Sequence, residues 1–284
     1  MKSAKILRLA FFLSLLLLPL ALLFSPFQSV FLGGFGLVMA ILTLLWVVSL
    51  VIKDASIIDI FWGIGFVIIA WGYAYQIGWE AIGTRQKVLL AMVALWGLRL
   101  AIYLAFRNLG KGEDYRYVEM RKEGGKNWWW LSFLRVFLLQ GVILWIVSSI
   151  FVPALLTGDS LGILDYVGIL LWGIGLFFEA VGDWQMMQFK GNTANKGKVM
   201  NKGLWKYSRH PNYFGDATLW WGFFCFCLAH PQGLFYIFSP LYMTFLLLKI
   251  SGVAMLERTL VHTKPAYEEY VAKTSAFFPM KPGV

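Results

Sequence analysis

Residues 190–216 read Lys-Gly-Asn-Thr-Ala-Asn-Lys-Gly-Lys-Val-Met-Asn-Lys-Gly-Leu-Trp-Lys-Tyr-Ser-Arg-His-Pro-Asn-Tyr-Phe-Gly-Asp. Five lysines and Arg209 can hold phosphates. Gly191, Gly197 and Gly203 allow close backbone approach, and Asn192, Asn195 and Asn212 offer amide hydrogen bonds. That is the inventory of a nucleotide site. Composition alone reads equally as a basic loop flanking a membrane span. No Gly-x-Gly-x-x-Gly opens a βαβ unit and there is no P-loop, which excludes the two commonest phosphate cradles.

A second group of chemically capable residues stands inside apolar stretches: Asp59, Arg99, Arg135, Glu179, Asp183, Asp216 and Lys249. An ionisable group at the centre of a membrane helix costs roughly 2.5–3.5 kcal/mol on insertion scales, so each needs a partner, an escape to the interface or a function. Arg135 and Lys249 read as snorkelling or paired residues. Asp59, within Ser-Ile-Ile-Asp-Ile-Phe-Trp-Gly, is expected either to pair with Arg99 on the next helix or to act as a catalytic acid. Glu179 and Asp183 are four apart and share one helical face. Two such carboxylates repel unless donors or a cation lie between them. Hydroxyl groups, as on a ribose, suit them better than a metal, which would want further ligands.

The elements that must carry these residues follow from composition. Of 284 residues, 59% are apolar and 14% charged, and the mean hydropathy is +0.68. No water-facing surface can hold that balance, so the chain is read as an integral membrane protein. Apolar runs at 6–24, 33–52, 57–78, 87–106, 131–156, 161–187, 213–229 and 233–256 are long enough for helices rather than barrel strands, the seventh being short. The expectation is an all-α polytopic bundle of seven or eight spans forming one domain, 1–284. The basic start before Leu9 is not followed by a small-x-small cleavage site, so the first run is read as a span.

Eight spans put the N-terminus, 53–56, 107–130, 188–212 and the tail from Glu257 on one side. That side holds twenty Lys and Arg, against Arg85 and Lys87 opposite, and is therefore cytoplasmic. This asymmetry accounts for most of the net charge of +10, leaving no case for nucleic acid. Trp128, Trp129 and Trp130 fit an interfacial belt. Cys225 and Cys227 point in different directions on one helix and make no disulfide framework.

The string Gly203-Leu-Trp-Lys-Tyr-Ser-Arg-His-Pro-Asn-Tyr-Phe-Gly-Asp216, followed by an aromatic span, Tyr267-Glu-Glu-Tyr270 and Thr274-Ser-Ala-Phe-Phe-Pro279, resembles the C-terminal domain of membrane steroid 5α-reductases, in particular their bacterial branch. It is also similar to the sterol C14 and C7 reductases. A looser likeness extends through Arg107-Asn-Leu-Gly-Lys-Gly-Glu-Asp114 and Leu139-Gln-Gly141 back to the Asp59 segment. The resemblance implies NADPH-dependent reduction of a carbon–carbon double bond in a lipid such as a 3-oxo-steroid enone, in a bacterial inner membrane. It assigns cofactor contacts to Asn108, Lys111, Asp183, Lys198, Tyr207, Arg209, Asn212, Asp216 and Tyr270, and Glu179, Asn192, His210 and Tyr213 are grouped with them; Lys198 is the expected partner of the 2′-phosphate. Catalysis is assigned to Asp59 with Arg99. Two departures stand out: the family's steroid-handling members carry a Gln-Glu pair where this chain has Asp59, and a catalytic tyrosine where it has Trp96. Small membrane methyltransferases using S-adenosylmethionine bear a similar Arg-His-Pro turn and are the rival enzymatic reading; a transporter or lipid-binding scaffold is the non-enzymatic one.

Overall fold

The computed structural model describes residues 2–250, 253, 257 and 266–283. Among the described residues there are helices and no strands, so the fold is an all-α polytopic membrane bundle. The first unit contains α1 (Lys2–Leu23), α2 (Gln28–Ile52), α3 (Ile57–Ile77), α4 (Thr84–Asn108), α5 (Tyr115–Gly124), α6 (Trp128–Ser132), α7 (Leu139–Ser148) and α8 (Phe151–Leu155). The second contains α9 (Ile163–Gly191), α10 (Pro211–Cys227), α11 (Phe238–Phe245) and α12 (Tyr267–Lys273). Where the sequence leads to the expectation of a single domain, 1–284, the chain divides into two compact units, residues 1–160 and 161–284.

Among the described residues, six stretches are long and apolar enough to cross a membrane: Gln28–Ile52, Ile57–Ile77, Thr84–Asn108, Tyr115–Leu155, Ile163–Gly191 and Gly233–Ile250. The expected seventh span, α10, has 17 residues, about 25 Å at 1.5 Å per residue, and falls short of a hydrocarbon core of about 30 Å. Residues 251, 252 and 254–256 of the expected eighth span, and 258–265 of the tail, lie outside the described residues. Arg135 and Lys249 lie in two π-helical turns, Phe133–Leu138 and Leu246–Ile250, and both are exposed, as snorkelling side chains should be.

Each unit packs around glycines. In the first, a Cβ on Gly63 of α3 would lie 2.1 Å from the Gly97 carbonyl of α4, so the two backbones touch. Helix α2 buries only Phe31, Gly34, Val38, Leu42 and Ser49, a stripe at helical spacing, and turns Leu44, Val48 and Val51 outward where lipid suits them. Arg85, counted as an outer-loop charge in the sequence, is buried instead: with Gln86 it donates to the carbonyls of Ala154, Leu155 and Thr157. The end of α8 has unsatisfied carbonyls that attract a cation. Of the three tryptophans, Trp129 and Trp130 face outward as a belt would, whereas Trp128 is buried beneath Arg121.

In the second unit the antiparallel α9 and α10 form the most extensive helix pair. Gly168, Gly175 and Gly182 recur every seven residues on α9; Gly168 meets Gly222, Gly175 meets Gly215, and Gly182 meets the backbone of Asn212. A seven-residue repeat keeps one face turned to its neighbour over several turns, and only hydrogen at each crossing lets the backbones approach so closely.

Candidate functional site

The glycine face of α9 also carries Glu179 and Asp183, each 3% exposed. Their positions, four and eight residues after Gly175, put them on the face that meets α10. On α10, Pro211 sits at the first helical position and Asn212 and Asp216, four apart, share the inward face. Asn212 Nδ2 donates to Asp183 Oδ1 at 3.0 Å. Asn212 Oδ1 is buried and, among the described residues, accepts no hydrogen bond. A buried acceptor without a donor costs about 1–3 kcal/mol, so this oxygen asks for an N–H or O–H from a ligand. Glu179, Asp183, Asn212 and Asp216, four of the residues expected as cofactor contacts, lie on one helix pair, α9 and α10.

The turn before α10 faces another way. Arg209, 8% exposed, donates from Nε to Glu257 at 2.7 Å and from Nη1 to the carbonyls of Val271 and Thr274 at 3.1 and 2.5 Å. His210 Nε2 lies 3.2 Å from the same Glu257 oxygen, and its ring stacks on Tyr213. The Arg209 N–H donates to Ser275, Ser208 Oγ to the Phe277 carbonyl, and Met280 N–H to the Tyr207 carbonyl. Tyr270 OH donates to the Trp205 carbonyl. The C-terminal strap, α12 and the residues up to 280, is therefore bonded along the whole turn 205–209. Arg209, His210 and Tyr270, expected as cofactor contacts, spend these polar atoms on the chain itself.

Charge follows geometry in this cluster. Burial would raise the Glu257 carboxyl, but hydrogen bonds from His210 and Arg209, and their charges, hold it down at about 2. Burial, and then the charge of Glu257, push the Tyr267 phenol up to about 12. Glu257 does not stand out in the sequence: a glutamate at the edge of an apolar run reads as an interfacial charge.

The loop from α9 to this turn is polar and open. Asn192 Oδ1 accepts from Ala194 N–H and starts a single 3-10 turn, so this amide shapes the loop. Gly197 and Gly203 have φ of +80° and +59°, conformations that favour glycine. Leu204 N–H is tied back to Gln185 of α9. Lys196, Lys198, Lys202 and Lys206 are exposed, as is Tyr207.

In the first unit, Asp59 occupies the first turn of α3, where the helix dipole favours a carboxylate. Its Oδ2 accepts from Arg116 Nη2 at 2.6 Å and its Oδ1 from Tyr117 OH at 2.7 Å. Tyr117 OH accepts from Gln140 Nε2 at 3.3 Å, and Gln140 Oε1 from the Trp62 indole. The ion-pair partner is thus Arg116 of α5 rather than the Arg99 expected, whose guanidinium lies over the Tyr103 ring at 5.4 Å. The reason is the start of α5: Asp114 caps it by accepting from Arg116 N–H, and Glu113 accepts from the Ala55 N–H before α3. Those two bonds bring Arg116 and Tyr117 to Asp59. Burial would raise the Asp114 carboxyl, but hydrogen bonds from Arg116 and its charge hold it below the ordinary value. Both Asp59 oxygens accept hydrogen bonds, and the hydroxyl of the cluster belongs to Tyr117. Asn108 and Lys111 lie at the end of α4, where Asn108 Oδ1 accepts from Arg107 Nε at 3.0 Å and Lys111 Nζ donates to the Arg107 carbonyl. Trp96 is buried against Phe66.

Fold and sites together define a multi-pass helical membrane protein with buried acids on α9 and a half-buried one, Asp59, on α3. Residues 45–274 match the family described as "Protein of unknown function (DUF1295)", and the chain belongs to that family, one of membrane proteins related to steroid reductases. It is also similar to the uncharacterized protein C594.04c of Schizosaccharomyces pombe, with 25% identity over 272 residues, covering 84% of this chain and 76% of the relative. No solved structure matches it.

Proposed function

We propose that the protein is an NADPH-dependent reductase of a carbon–carbon double bond in a membrane lipid, the Δ4 bond of a 3-oxo-steroid or a similar enone being the substrate class. The observation that carries this reading is Asn212: half-buried, bonded to Asp183 on one side, and presenting a buried acceptor oxygen that finds no donor among the described residues. The hydroxyls and carboxamide of a dinucleotide supply such donors. Asp183 and Asn212 would hold them, while Lys198 and its neighbours on the exposed loop would take the phosphates. The resemblance of the Arg-His-Pro-Asn-Tyr-Phe-Gly-Asp string to the steroid and sterol reductases supports the same cofactor.

Bound NADPH would supply the hydride that the β-carbon of an enone takes up, and a proton from solvent would complete the α-carbon. As charge develops on the carbonyl oxygen, a hydrogen-bond donor in a dry site stabilises it. Tyr117 is our candidate for that donor: its one O–H, given to Asp59 in this structure, would turn to the substrate oxygen, while Gln140 keeps its bond to the phenol oxygen and Arg116 its pair with Asp59. By the positive-inside rule the basic loops would face the cytoplasm, from which a soluble nucleotide would arrive. The test is incubation of the detergent-purified protein with NADPH and a panel of steroid, sterol, polyprenyl and fatty enones, read as a mass gain of two hydrogens. Methyl transfer from labelled S-adenosylmethionine to lipid, with no such gain, would replace the reductase by a methyltransferase. Neither product would favour a lipid-binding or transport role.

A further inference from the structure

We infer that Glu257 is a positioning residue for the site built on Asn212. It rests on the nucleotide reading above, and acts through the turn rather than on a ligand. One oxygen, Glu257 Oε1, meets both Arg209 Nε at 2.7 Å and His210 Nε2 at 3.2 Å. These are the two residues immediately before Pro211, and His210 is the residue that caps α10, with φ −141° and ψ 61° outside the helical region. Residue 212 is the second of that helix. Its amide reaches Asp183 only if α10 enters at the observed angle.

Three further features converge on the same point. Arg209 fastens the turn to the strap through Val271 and Thr274, but those bonds use Nη1; Nε is aimed by Glu257. The main chain of His210 is fixed separately, by Ser208 Oγ accepting from its N–H at 3.1 Å. The His210 ring, held by Glu257 on one edge, stacks at 5° on Tyr213, the residue after Asn212. A carboxylate that orients a cation and an imidazole on successive residues fixes the plane of the chain between them. The strap therefore serves as the scaffold of the turn, and Glu257 as its pivot.

The test is a double-mutant cycle of Glu257→Gln and Asn212→Ala, read by NADPH affinity in detergent, beside amide hydrogen exchange over residues 205–216. Glu257→Gln, which keeps an acceptor oxygen but removes the charge, should weaken NADPH about tenfold, the scale of one charge-assisted hydrogen bond. In the Asn212→Ala background the same change should cost almost nothing, because the residue it positions is gone. Exchange should quicken at 207–213 and stay unchanged in α3 and α4. Equal losses in both backgrounds overturn the inference, since a residue that merely stabilises the unit would act independently of Asn212. If the wild-type protein binds no NADPH, the proposed function fails on its own, and exchange decides: local quickening at 207–213 upholds the positioning role, and uniform or unchanged exchange overturns it. Glu257→Asp, expected to restore most of the exchange protection, guards against a variant that does not fold.

Discussion

Gly215→Ala should loosen the α9–α10 pair of the second unit. Built onto Gly215, a Cβ lies 2.4 Å from the Glu179 nitrogen and 2.4 Å from the Gly175 carbonyl oxygen. Ordinary contacts between such atoms are about 3.4 Å, so α9 and α10 must part by about 1 Å where they cross. Both obstacles are backbone, leaving no side chain to rotate away. Overpacking of this kind costs about 1–3 kcal/mol, and the absence of relief puts it at the upper end. Three residues away, the 3.0 Å bond from Asn212 to Asp183 would stretch beyond reach, adding about 1–3 kcal/mol for polar groups left buried. The sum is about 4 kcal/mol, on the order of 8–16 °C of melting temperature for a chain of this size. Gly173 of α9 is the control, since its Cβ would meet nothing within 4 Å; Gly173→Ala should be neutral or slightly stabilising. Thermal unfolding in detergent, followed by tryptophan fluorescence, measures both. A Gly215→Ala protein melting within about 2 °C of the wild type would refute the claim that the backbones touch there.

Arg209→Ala should behave as a structural lesion, costing about 3–5 kcal/mol by stranding Glu257 and two carbonyls, and limited proteolysis should then cut the strap first. Glu257 titrates at about 2 when folded and near 4.5 when unfolded, so its contribution is complete above pH 4.5 and is lost as pH falls from 4.5 to 2, about 3 kcal/mol in all. Denaturant titrations across that range check it, and Glu257→Gln should flatten the slope. Asp59→Asn should lower turnover by about 10²–10⁴-fold with NADPH affinity nearly unchanged, and Tyr117→Phe should match it; a variant that melts early but turns over normally would make the Asp59 cluster a brace between α3 and α5. Lys198→Ala should narrow the preference for NADPH over NADH, measured as the ratio of the two dissociation constants; equal losses would remove Lys198 from the 2′-phosphate.

Much of this arrangement is legible in the chain, and the remainder fails for identifiable reasons. Helical class follows from apolar runs of about 20 residues, and the face shared by Glu179 and Asp183 from their spacing alone. Arg209 is harder, because an arginine in a lysine-rich loop looks like a phosphate ligand; only the return of residues 271–280 gives its guanidinium inward acceptors. Asp59 had two cations at plausible distances in sequence, and the cap at Asp114, a local feature, decides for Arg116. Arg85 could not be separated from an outer-loop charge without knowing that the end of α8 returns to it. The glycines of α9 did carry a signal, a period of seven, that points to close pairing.

The strap has a consequence for how the protein is made. Helices α9 and α10 can pair as soon as both are synthesised, yet the carbonyl that completes the Arg209 guanidinium belongs to a residue 65 positions further on. At about 5–20 residues per second the ribosome needs several seconds to cover that interval. Throughout it, the newborn second unit holds a cation, a serine hydroxyl and a run of main-chain groups at the membrane without their eventual partners. A premature stop between α10 and residue 271 would make that state permanent, so alleles that end the chain there should behave as null alleles, cleared by quality control.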